Sequence, residues 1–180
     1  MMPWGHAAVG YLCFTILSRL RYRRSPTGAE VVALGLGTQF PDIIDKPLAA
    51  IGVLSYGRSL AHSLLSMALL FTVLFVLLRG SDNSRLLFPF AVGNVSHAFA
   101  DIGGSLLQGQ HFGTTFLVWP FYFETPAYTV PAYFQNEYVL FVFTNQNAQW
   151  GLALVVALLW LLESGPRIGR ELRLKRVAKR

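Results

Sequence analysis

Five apolar stretches, separated by short polar or charged turns, organise this 180-residue chain. They run from about Ala7 to Leu20, Val31 to Phe40, Leu60 to Leu78, Leu86 to Ala100 and Trp150 to Leu162. A straight helix needs about 20 apolar residues to cross a bilayer, whereas runs of about 10–14 are more often buried or re-entrant. On length, Leu60–Leu78 is the one stretch expected to span unaided. The other four read as membrane helices whose polar ends are shielded by their neighbours, and no internal repeat relates them. The pattern predicts an all-α fold, a compact polytopic membrane bundle of about five apolar helices.

Composition sharpens this reading. Hydrophobic residues make up 53% of the chain and charged residues 13%, against about 25% charged in soluble domains. The mean hydropathy is +0.45. So few charges cannot cover a soluble surface. A net charge of +6 would suit nucleic acid, but the distribution of charge points to topology instead. Seven of the fifteen Lys and Arg residues lie between Arg167 and Arg180, four are Arg19, Arg21, Arg23 and Arg24, and Arg79 and Arg85 flank one turn. Basic clusters beside apolar runs mark cytoplasmic loops. Placing these thirteen residues inside demands five crossings, with the N-terminus outside and the C-terminus in the cytoplasm. Residues 1–166 then form the membrane domain and 167–180 a basic cytoplasmic tail. The first basic residue is Arg19, so no basic region precedes the first apolar stretch and a cleaved secretory signal is not expected. The one cysteine, Cys13, excludes an intramolecular disulfide.

Between Asp101 and Trp150 lies a stretch too long for a plain connection, carrying twelve of the twenty-five aromatic residues. Such enrichment suits a segment at headgroup level, here an aromatic-rich non-cytoplasmic loop that either packs as a cap or contacts substrate. His111 is assigned to this loop.

The topology fixed by Lys and Arg leaves four helix ends outside, and the chain's candidate chemistry falls on all four. His6 opens the first stretch, Asp42 and Asp45 follow the second, Arg58 and His62 open the third, and Asn94, His97 and Asp101 close the fourth. Residues four apart share a helix face, which aligns Arg58 with His62 and His97 with Asp101. Pro41 before Asp42 is expected to hold the chain extended or turned and so aim that carboxylate inward. A His-x-x-x-Asp pair offers nitrogen and oxygen to one ion, with zinc, manganese and iron all suited. Each residue alone has a plainer role: His6 or Asp42 as a helix cap, Arg58 as the ion-pair partner of Asp42 or Asp45. Ionisable groups near membrane depth are costly, about 2.5–3.5 kcal/mol each at a helix centre, so capping is a weak reason to keep this many at one level.

The ordered set of His6, Phe-Pro-Asp with Asp42 and Asp45, Arg-x-x-x-His-Ser at Arg58, His62 and Ser63, His97-x-x-x-Asp101 and the later Leu-Val-Trp-Pro-Phe resembles the LexA-regulated, inner-membrane-associated metal-dependent hydrolases over roughly residues 1 to 121. More distantly it is similar to the zinc-dependent phospholipase C and P1-type nuclease group, all-helical enzymes that cleave phosphoesters. The resemblance implies that His6, Asp42, His62, His97 and Asp101 are metal ligands. It departs from the distant group at the N-terminus, where Trp4 lies behind Met1, Met2 and Pro3, and in the later ligands, for which only His111 offers a match.

The expected function is membrane-bound, metal-dependent hydrolysis on the outer face, with zinc or another divalent ion and an anionic substrate, a phosphoester or lipid headgroup. Asp45 would serve as general base or extra ligand. Arg58 would hold the anion, since guanidinium grips phosphate oxygens in pairs. Membrane lipids are the expected partners, and nucleic acid is not. Two other classes use the same features: an ion- or proton-coupled transporter built on the polar cluster, and a non-enzymatic membrane protein that binds partners through its basic tail.

Overall fold

The computed structural model describes residues 1–107, 111–121 and 147–165, and every regular element among them is helical. Helices α1 (Pro3–Tyr22), α2 (Gly28–Ala50), α3 (Leu64–Leu78), α4 (Leu87–Leu107) and α5 (Asn147–Gly165) are accompanied by short 3-10 turns at Asp82–Leu86 and His111–Val118. The basic tail and residues 122–146 of the aromatic stretch lie outside the described residues.

Local signals explain the boundaries. Pro3 starts α1, where its missing N–H is harmless, and Arg23 ends it in a left-handed conformation, its N–H returning to the Arg19 carbonyl. Thr27 and Glu30 cap α2 reciprocally, side chain to backbone in both directions. Arg24 adds two hydrogen bonds to Glu30, at 2.6 and 2.7 Å, and this pairing holds the Glu30 carboxyl at about 2. Ser63 caps α3 through the Ser66 N–H. Gly80, at a φ of 81°, turns the chain after α3.

Two expectations about the elements need correction. α2 does not stop at Phe40: it continues through Pro41 and Pro47, so Asp42 and Asp45 sit within the helix, one turn apart. Pro41 removes one helical hydrogen bond without ending the helix, and its own side chain is fully buried. The third apolar stretch yields a helix only from Leu64, because Ser63 caps it there. Arg58 and His62 therefore lie in turns before the helix, and no shared helix face aligns them. Among the described residues, the helix long and apolar enough to cross a membrane is α5 rather than the third stretch, whose helix α3 has just 15 residues.

Glycine brings α1, α2 and α4 together. A Cβ on Gly37 would lie 2.1 Å from the Phe90 carbonyl oxygen, and one on Gly93 would lie 2.3 Å from that of Leu34. On α1, a Cβ at Gly10 would stand 2.5 Å from the Thr38 side chain. Such close backbone approach typifies helices packed in a membrane.

Among the described residues, polar groups are buried beside an apolar core while large apolar side chains lie outside. His6, Thr38, Asp45, His62, Asn94, His97 and Asp101 are buried, whereas Leu65, Leu69, Val73 and Leu77 of α3 and Leu154, Leu158 and Leu162 of α5 are exposed. A contiguous apolar exterior of this extent marks contact with hydrocarbon or protein.

Candidate metal centre

The polar residues gather at one end of the bundle. His6 is in the first turn of α1, Asp42 and Asp45 are in the later half of α2, His62 precedes α3, and His97 and Asp101 are on α4. The basic groups Arg19, Arg21, Arg79 and Arg85 lie at the opposite ends of α1, α3 and α4.

His62 and His97 form the middle of the cluster, both fully buried. His62 Nδ1 lies 2.8 Å from Asp45 Oδ2, and His97 Nδ1 lies 2.6 Å from the Thr38 carbonyl oxygen. An ionised carboxylate and a carbonyl can only accept, so each ring carries its proton on Nδ1. In the neutral form of each ring Nε2 is the acceptor, and the two Nε2 atoms face each other at 3.1 Å.

Two carboxylates complete the arrangement. Asp42 Oδ1 is 3.7 Å from each Nε2, and Asp101 Oδ2 is 3.8 Å from that of His62 and 3.7 Å from that of His97. Four ligands held at about 2.1 Å around a tetrahedral ion would stand about 3.4 Å apart. The separations among His62, His97 and Asp101, from 3.1 to 3.8 Å, bracket that value, and Asp42 stands at a similar distance from both imidazoles. His6 adds a fifth donor: its ring stacks on His97 with centroids 3.7 Å apart, and its Nε2 is 3.4 Å from Asp101 Oδ1. The five residues named together from sequence thus form two overlapping groups with mutually close ligand atoms, His6 with Asp42 and His97, and His62 with His97 and Asp101.

Asp45 takes a different place from the one expected of a general base or extra ligand. Its oxygens accept from the Ser59 N–H at 2.8 Å, the Ala61 N–H at 2.9 Å and His62 Nδ1 at 2.8 Å. It is fully buried behind His62 and fixes both that ring and the turn carrying it. Carboxylate–histidine pairs of this kind set ring tautomer and orientation in metal sites. Arg58 pairs with neither Asp42 nor Asp45: its Nε is 2.9 Å from Asp101 Oδ2, and its side chain is partly exposed at the rim. Asp42 pairs instead with Lys46 at 2.6 Å. The Met1 amino group also reaches Asp101, at 2.9 Å from Oδ1.

Several contributors escaped sequence reasoning. The Thr38 carbonyl is a backbone group with no side-chain signature, though Pro41 in the next turn disturbs helical bonding nearby. Phe116 lies edge-on to His62 at 5.7 Å and is buried, and Ser63 Oγ ties the Trp119 carbonyl to the head of α3 at 2.7 Å. Together they cover the His62 side. The buried Asn94 amide, one turn before His97, has no partner among the described residues. The side chain of His111 lies outside the described residues.

The profile of one protein family, described as YdjM inner membrane protein, matches residues 1–167, and the chain belongs to that family. No curated protein and no solved structure matches it.

Proposed function

We propose that this member of the YdjM inner membrane protein family is a membrane-embedded metal-dependent hydrolase. Its divalent ion, zinc in the first instance, would be held by His62, His97, Asp42 and Asp101, with His6 beside them. The observation carrying this reading is the pair of Nε2 atoms at 3.1 Å, each with its ring proton committed elsewhere. Two lone pairs at that distance repel unless positive charge lies between them, and the adjacent carboxylates favour a cation of higher charge than a proton.

When bound, a divalent ion supplies a water acidic enough to ionise near neutral pH. The rest falls to the chain's own residues. Asp45 and the Thr38 carbonyl keep both imidazoles in the ligating tautomer. Phe116 excludes solvent from the His62 side. Arg58, beside Asp101 at the rim, binds an anionic group on the substrate. The likeness to phosphoester-cleaving helical enzymes makes a phosphoester, including a lipid headgroup, the substrate class. The family and the exposed apolar side chains support a membrane setting, and the basic clusters favour a polytopic bundle with this site outside and the basic ends inside. A transporter would need polar groups that connect the two faces; buried Thr15, Ser18 and Glu30 lie on α1 and α2, beside the apolar cluster of Phe14, Leu34 and Val156.

The test is divalent metal content and hydrolysis of a phosphoester panel by wild type, His97→Ala and Arg58→Lys. Wild type should retain metal through dialysis and His97→Ala should lose it. Arg58→Lys should keep metal but lose a charge-assisted contact of about 1.5–3 kcal/mol, roughly ten- to a hundredfold in kcat/KM. A metal-free wild type overturns the site. Bound metal without hydrolysis of phosphoesters, esters or amides overturns the activity.

A further inference from the structure

A second feature lies on the other side of α1. Trp4 and Ala8 of α1, Leu34 and Gly35 of α2, and Ala157 and Trp160 of α5 line a groove of about 290 Å³. We propose that this groove holds one acyl chain of a bilayer phospholipid. The proposal needs only the membrane setting and is independent of the hydrolase reading.

The groove is open to its surroundings and lined almost wholly by apolar side chains, so the medium beside it can enter. Water is a poor occupant, because a buried water needs two to four polar partners. Tyr11, whose ring also borders the groove, has its hydroxyl engaged with Glu163 Oε2 at 3.3 Å, and Arg19 pairs with the same carboxylate. That polar knot closes the inner end. The surrounding surface is apolar and exposed, with Leu36, Leu154 and Leu158 facing outward, so hydrocarbon is the medium the groove meets.

Shape points the same way. Small residues leave a trench: a Cβ built on Gly35 meets nothing within 4 Å. From Trp4 to Tyr11 the groove follows seven residues of helix, about 10 Å at 1.5 Å per residue, a length suited to an unbranched chain. At the outer end Trp4 stacks on Trp150 with centroids 4.4 Å apart. Its indole N–H is buried and has no partner among the described residues. Indoles favour headgroup level, which suits the Trp4–Trp150 stack to the polar end of a lipid lying in the groove.

The experiment titrates the purified full chain, in detergent with a chelator present, with phosphatidylglycerol carrying brominated acyl chains. Tryptophan emission and Tm are read together. Quenching should saturate at one lipid per chain, and Gly35→Leu, which fills the trench, should weaken it about tenfold with Tm unchanged. Leu36→Ala, on the adjoining outer face, should leave binding as in wild type. Should Gly35→Leu lower Tm, Ala157→Phe fills the same space from α5. Three results would overturn the proposal: quenching that rises without saturation, equal binding by both filled variants, or a dimer that the filled variants dissociate. The last assigns the groove to a second copy of the chain. Because chelator is present throughout, failure here leaves the metal reading untouched, and the converse also holds.

Discussion

Replacing Asp45 by Asn separates a positioning carboxylate from a catalytic one. The substitution preserves shape but removes charge and turns one acceptor into a donor. Asp45 Oδ2 accepts from both Ser59 N and His62 Nδ1, and Oδ1 accepts from Ala61 N. The better amide orientation therefore keeps oxygen at the Oδ2 position, retaining two bonds and setting NH2 against the Ala61 N–H. Holding His62 Nδ1 by a neutral rather than a charged acceptor forfeits about 1–1.5 kcal/mol, the gap between charge-assisted and ordinary hydrogen bonds. At 1.4 kcal/mol per decade, metal affinity should fall about tenfold, within the range seen when outer-shell partners of ligating histidines are replaced. The unpaired Ala61 N–H should cost about 1–3 kcal/mol of stability. Chelator competition measures the affinity, thermal melting measures the stability, and hydrolysis at saturating metal measures the chemistry. At saturating metal, turnover should stay close to wild type. Unchanged metal affinity with turnover reduced a hundredfold or more would refute the argument and return Asp45 to general-base duty.

Other outcomes follow from the fold. Gly37→Ala should destabilise by about 1–3 kcal/mol through overpacking, because its Cβ would overlap the Phe90 carbonyl, while Gly151→Ala, with open space around it, should be near neutral in the same melting assay. The Glu30 carboxyl is held at about 2 against an ordinary value of 4.5. Its contribution to stability is present above pH 4.5 and lost as pH falls through about 2, so melting from pH 6 to 2 should show a drop that Glu30→Gln lacks. Cysteines at exposed Ser55 and Ser81, in a Cys13→Ser background, should label from opposite sides of the membrane, and labelling from one side would end the five-crossing arrangement.

The polar cluster was more legible than the elements that build it. His6, Asp42, His62, His97 and Asp101 could be read together because charged groups are rare in this chain and these lie away from its Lys and Arg clusters. Helical spacing correctly paired His97 with Asp101, both on α4. It misplaced Arg58 and His62, since Ser63 caps the helix after them. Pro41 misled because a proline tolerated within a long helix has the same one-dimensional signature as one that ends it. The position of Asp45 behind His62 depends on a turn at Ser59–Ala61 folding back over α2. No local pattern announces such a contact across fourteen residues.

Charge balance links the proposed cation to the proposed substrate. Asp42 stands against Lys46, and Asp101 against Arg58 and the Met1 amino group, while Asp45 accepts from two backbone N–H groups and His62 Nδ1. Among the described residues, the carboxylates of the cluster thus have cationic or hydrogen-bonding partners before any metal enters. A divalent ion would add positive charge in a poorly hydrated setting, where uncompensated charge is expensive. On the proposed reading, a phosphomonoester carrying about −1.5 to −2 at neutral pH would offset that charge, a phosphodiester would offset part of it, and a neutral ester or amide none. Coupling of this kind is reciprocal: an anion that offsets the loaded site would also tighten its hold on the metal. A site of the proposed kind would then favour phosphorylated over neutral substrates, with Arg58 the group to position the phosphate.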